Sequence, residues 1–182
     1  MSIGLQGKVR IENGENVIEG SNSFVRNAAV MLLTPFMLED CYNNRDLGRD
    51  FIDVKTGYDV ETETSWNRVA LVDGMGTPPN VLDSEPVEGD DEYRLKITAT
   101  WNKGELSGTL GEIGFFLGVN VSEFEDANSP VTVRYWLDTG GESGLWSRMC
   151  VADGDFVAFE IDENSPLTIE WHLVFKFKGD ES

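Results

Sequence analysis

The sequence predicts a mainly β protein, an antiparallel, jelly-roll-like β-sandwich with one N-terminal α-helix, forming a single domain over residues 1–182. Three observations carry this expectation. Residues 94–101 alternate Leu95, Ile97, Ala99 and Trp101 with Lys96, Thr98 and Thr100, the period of two that marks a half-buried strand. Residues 167–177 repeat the pattern over a greater length, with Ile169, Trp171, Leu173, Phe175 and Phe177 on one face, as a central strand would. Between them, residues 107–118 read Ser-Gly-Thr-Leu-Gly-Glu-Ile-Gly-Phe-Phe-Leu-Gly, a strand entered and left through glycines. With residues 145–151 these runs form a C-terminal β-core. The chain is long enough to bury about 70% of its unfolded surface without help from a metal or disulfide.

From the N-terminus, residues 1–20 read as an arm or edge hairpin, with Asn13-Gly14 as its turn because Asn-Gly supplies positive φ angles. Residues 21–38 then change period. Ser21, Asn22 or Ser23 can cap a helix, and Phe24, Val25, Ala28, Ala29, Leu32 and Leu33 follow at helical spacings up to Pro35, which ends or kinks it. This helix is apolar on more than one face. It is expected either to lie across the mouth of the β-core or to offer Met31, Phe36 and Met37 to a neighbouring subunit.

Residues 39–63 read as a long polar loop with a short strand around Phe51-Ile52 and Val54. Residues 67–73 read as a buried strand that stops at Gly74-Met75-Gly76-Thr77-Pro78-Pro79, since a double proline cannot continue a ladder. Residues 82–92 carry six acids around Pro86 and Gly89 and read as a solvated acidic loop. Asp153-Gly154-Asp155 is hairpin-turn chemistry between strands at 145–151 and 156–161.

The chemistry points away from catalysis. Gly74-Met75-Gly76 is followed by prolines instead of a helix start, so it is no phosphate cradle. The acidic run does not match the calcium-loop spacing, and one histidine with two distant cysteines, Cys41 and Cys150, cannot make a zinc site. The thiols are expected to be free and buried. His172 has no nucleophile elbow to serve and is read as a surface or pairing residue. Glu112, flanked by glycines and apolar residues, is read as a buried structural acid with Arg148 or Arg68 as donor. No catalytic, cofactor-binding or metal-binding residues are assigned, and the protein is not expected to be an enzyme.

Thirty-three acids against 14 bases give a formal charge of −19, which repels phosphate backbones and anionic lipid. Neither nucleic acid nor membrane is an expected partner, although a basic protein surface would be attracted. Residues 1–10 hold no apolar signal-peptide core, and the run 28–38 is too short to span a bilayer, so synthesis in the cytoplasm is expected.

Read together, the apolar segment 21–38, the glycine-rich turn at 74–79, the strand 95–101, Gly-Thr-Leu-Gly-Glu-Ile-Gly-Phe-Phe, Ser147-Arg148 on a strand and a closing Ile-x-Trp-x-Leu-x-Phe strand form an ordered series. This order resembles structural proteins of the tails, baseplates and fibre-attachment regions of tailed viruses of bacteria and archaea. There a Glu-x-Gly-Leu-Phe block precedes an Ala-Arg or Ser-Arg strand and a terminal Leu-x-Ile-x-Trp strand; Phe115 stands here in place of the leucine. The resemblance implies a virion structural protein that assembles as a homo-oligomer or with other virion proteins, made in the host cytoplasm and residing in the virion. A capsid decoration or turret protein is the alternative within that class. From another class comes a carbohydrate-binding module, which exposed Trp66, Trp136 and Trp146 would favour.

Overall fold

The computed structural model describes residues 2–24, 52–65, 70–88, 92–117 and 144–178. They are mainly β, in antiparallel sheets arranged like a sandwich, and among them there is no helix. The first sheet has five strands in the order β2 (Asn16–Ser21), β1 (Ser2–Asn13), β11 (Leu167–Lys178), β6 (Glu92–Trp101) and β5 (Val81–Glu88). The second has four, β3 (Ser23–Phe24), β9 (Gly144–Cys150), β8 (Glu112–Leu117) and β4 (Ile52–Gly57). A short pair, β7 (Thr109–Leu110) with β10 (Phe159–Glu160), closes one end.

The period of two explains the first sheet directly. Val9 stands opposite Trp171, which stands opposite Ile97; Ile11, Ile169 and Ala99 form the next row, and all six are buried. The second sheet contributes Val54, Ile113, Phe115 and Met149 to the same core, and the Phe115 and Trp171 rings meet across it with centroids 5.9 Å apart. Trp101 and Trp171 are fully buried. Strand β11 is the middle strand of its sheet because an apolar ladder of that length needs a partner on each side.

Several expectations are corrected. Ser21 closes β2 against Lys8, and Ser23 and Phe24 pair with Arg148 and Ser147. Ladder hydrogen bonds thus take the residues expected to cap and begin the helix; the rest of that segment, with Met31, Phe36 and Met37, lies outside the described residues. The N-terminal hairpin turns one position later than expected. Asn13 pairs with Asn16, so the loop is Gly14-Glu15, and positive φ (60°) at Gly14 alone fits a type II′ turn.

The acidic stretch expected to be a loop is largely a strand, β5. Asp83, Glu85 and Val87 stand opposite Thr98, Lys96 and Arg94, so Asp83 and Glu85 sit on the polar side of a regular ladder. Conversely, of the strand expected over 67–73, residues 67–69 lie outside the described residues and residues 70–73 form no strand; only the next residue, Gly74, makes an isolated bridge, to Gly57. Their backbone donors go to a carboxylate, as described below. Strand β10 is shorter than the expected run from 156 to 161, because residues 151–156 are spent on turns.

Candidate functional site

The second sheet carries Glu112 and Arg148 on the face turned away from the core, with Gly57 opposite Glu112 and Gly114 opposite Arg148. Both charged side chains are nevertheless fully buried. Segments 58–65 and 70–79 form a roof over this part of the sheet, and the two charged groups pin it down.

Arg148 donates Nε–H to Glu112 Oε2 at 2.7 Å, and its Nη2 lies 2.7 Å from the same oxygen and 3.1 Å from Asp59 Oδ2. Its Nη1 donates to the Thr62 carbonyl at 2.6 Å and contacts Thr64 Oγ1 at 3.3 Å and Cys150 Sγ at 3.2 Å. Every nitrogen of the planar guanidinium therefore has a partner, which a buried arginine requires. Glu112 is equally spent, because Oε1 accepts the backbone N–H groups of Val72 and Asp73, each at 2.9 Å. This is why residues 70–73 do not form a ladder. Gly57 makes room for the arrangement: a Cβ there would lie 2.7 Å from the Asp73 carbonyl and from Glu112 Cγ.

Burial would raise the Asp59 carboxyl, but hydrogen bonds from Thr62 N–H and Oγ1, with the Arg148 charge, hold its pKa below the usual carboxylate value. Asp153 is likewise held low against burial by hydrogen bonding from Thr64. Cys150 is a free, buried thiol whose pKa burial pushes up. Burial also raises Asp155, assisted by the neighbouring Asp153 charge.

Sγ of Cys150 and carboxylate oxygens of Asp153 and Asp155 lie within 4.8 Å of one another. However, Asp155 already accepts the Cys150 N–H at 3.0 Å, and the Arg148 guanidinium beside the thiol opposes a cation there. The group closes the turn around Gly154, whose φ is +76°. Between roof and sheet lies a cavity of about 420 Å³, lined by Asp53, Lys55, Thr56, Leu71, Pro78 and Phe116 among others. Lys55 spans its wall, 3.6 Å from Asp53 and 4.8 Å from the centre of the Phe116 ring.

The structure thus brings Glu112 and Arg148 together, while Arg68 and Cys41 lie outside the described residues. Trp66, Trp136 and the side chain of Trp146 do so as well. His172 stands on the outer face of the first sheet between Lys8 and Lys96. Its pKa is lowered by partial burial and by the charge of Arg94, then Lys96 and Lys8, against the opposing pull of Glu170.

One residue with a decisive structural role was hidden in a turn signal. Asn13 is fully buried; its amide nitrogen lies 3.2–3.3 Å from the carbonyls of Asp162, Ser165 and Pro166, and its oxygen accepts the Asp162 N–H at 2.7 Å. It clamps the first hairpin to the turn before β11. Only its place beside Gly14 signalled it, and that signal spoke for the local turn alone.

Among the described residues, no helix is long and apolar enough to cross a membrane. In the comparisons with known proteins, no family model, no curated protein and no solved structure matched the chain.

Proposed function

We propose that this chain is a structural subunit of a tailed-virus particle, at the tail, baseplate or fibre attachment, acting through self-assembly and contacts with other virion proteins. One observation supports this reading most. Glu112 from the Gly-Glu-Ile-Gly-Phe-Phe block and Arg148 from the Ser-Arg strand, two of the features that carry the resemblance, are partners in one buried pair. Their order in the chain therefore reflects a single folding constraint, not two unrelated matches. The pair serves architecture: its donors and acceptors are consumed in holding the roof, which leaves none for a substrate.

In this reading the protein is not an enzyme, uses no cofactor and engages neither nucleic acid nor membrane. It is made in the host cytoplasm and resides in the virion. In finer detail the sandwich is jelly-roll-like, crossing between sheets from β2 to β3, β4 to β5, β6 to β8 and β9 to β11. In this reading Met31, Phe36 and Met37 meet a neighbouring subunit.

The test is the mass of the purified protein by light scattering coupled to size exclusion, at low and at molar salt. A defined oligomer is the expected result. A 20.2 kDa monomer at both salts would count against self-assembly and favour a monomeric decoration protein or a glycan-binding module.

A further inference from the structure

The outer face of the five-stranded sheet sorts its charges along the strand direction. Strand register places Lys8, His172, Lys96 and Glu85 in one row, with Arg94 in the row beyond, flanked by Val174 and Val87. The adjoining rows toward the other end hold Arg10, Glu170, Asp83 and Glu19, then Glu12 with Thr168, Thr100 and Val81. One half therefore carries Lys8, Lys96 and Arg94 against Glu85 and Glu92; the other carries Arg10 against four acids. Of the 14 lysines and arginines in the chain, Lys8, Arg10, Arg94 and Lys96 stand on this single sheet face, and the register sets Lys176 in the row of Glu92. Lys8 forms no ion pair among the described residues.

Exposed valines mark the same face, Val17 (50% exposed) beside Glu12 and two more on β5. Val87 (41% exposed) lies at the basic end of β5, and Val81 (53% exposed) at the acidic end.

We propose that this face docks a second copy of the chain about a twofold axis running across the strands. That operation lays the basic half of each copy over the acidic half of the other and brings Val81 near the partner copy's Val87. Two bodies of charge −19 repel unless their contact is complementary, and this face is complementary to itself when reversed. The β5 edge is a poorer route. Ser84 N–H is already taken by Asp83 Oδ1 at 2.9 Å, and Pro86 has no donor, which guards the edge against strand addition.

The inference rests on the self-assembly reading and names one contact within it. Its test uses two full-length variants, Lys8→Glu with Arg94→Glu, and Glu12→Lys with Glu19→Lys, with thermal melts to show that each is folded. Each variant alone should self-associate roughly tenfold more weakly than the parent chain. Mixing the two should restore association, since each then meets its opposite. Molar salt should weaken the parent contact. Folded variants with undiminished self-association, or mixtures that fail to recover it, would overturn this contact while leaving self-assembly standing. A parent chain that stays monomeric at every concentration would overturn both.

Discussion

The outer faces of the two sheets carry the same kinds of charged residue under opposite conditions. On the first sheet Arg10 reaches Glu12 at 3.0 Å with both side chains well exposed (39% and 48%). On the second, Arg148 reaches Glu112 at 2.7 Å with both fully buried beneath the roof. The distances are similar, yet the energetic consequences are not. Water screens the open pair, which contributes at most about 1 kcal/mol. Under the roof water is gone, so the charges depend on each other, on two backbone N–H groups and on Asp59 and Thr62. A buried pair is thus a constraint on structure more than a source of stability.

The sharpest way to break this contrast is to remove one buried partner. Arg148→Met or Glu112→Gln should cost about 3–5 kcal/mol in denaturant unfolding, because an uncompensated buried charge or orphaned backbone donors remain. Replacing both with Met and Leu should recover part of that loss, since no fully buried charge is then stranded; the remainder belongs to Asp59 and to the Val72 and Asp73 N–H groups, which still lose their partners. Next in size is Gly57→Ala, expected to cost about 1–3 kcal/mol by pushing the Asp73 carbonyl and Glu112 apart. Hydrogen exchange at Val72 and Asp73 should rise in both cases, while β1 and β11 remain protected.

A pH titration of stability sharpens the comparison further. His172, on the open face among Lys8, Lys96, Arg94 and Glu170, has a lowered pKa in the folded chain. The unfolded chain therefore takes up its proton first, and stability falls as pH drops below about 6.5. Asp59, also depressed, contributes stability that is present above the ordinary carboxylate value of about 3.9 and lost as pH falls through its folded value. His172→Gln should remove the first loss and Asp59→Asn the second. Asp53 and Asp155, raised mainly by burial, act in the opposite direction in the acid range. The smallest effect belongs to the open face itself, where Arg10→Ala should change stability by about 1 kcal/mol or less.

Much of the molecule follows from short-range pattern. Alternation in residues 94–101 and 167–177 implies strands because a pleated chain in contact with a core must bury every second side chain. A carboxylate at 112 among glycines and apolar residues implies a buried acid, and buried acids need donors. Sequence alone left Arg148 and Arg68 both open, since either could reach it in some fold. The choice of Arg148 is made by the ladder that sets Glu112 opposite Cys150 and Gly114 opposite Arg148.

What chain-local pattern could not decide is which backbone groups find each other across long separations. Asp83 and Glu85 looked solvated and are exposed, but only their register with β6 makes them part of a strand. Residues 70–73 have the composition of a strand, yet a carboxylate 39 residues away claims their donors first. Asn13 reads as a turn residue and serves as a clamp between segments about 150 residues apart. Composition and period determined that β6, β8 and β11 would be strands and which of their faces would be buried. Tertiary structure decided which polar groups share the buried space, because a hydrogen bond is satisfied by proximity in the fold, whatever the distance along the chain.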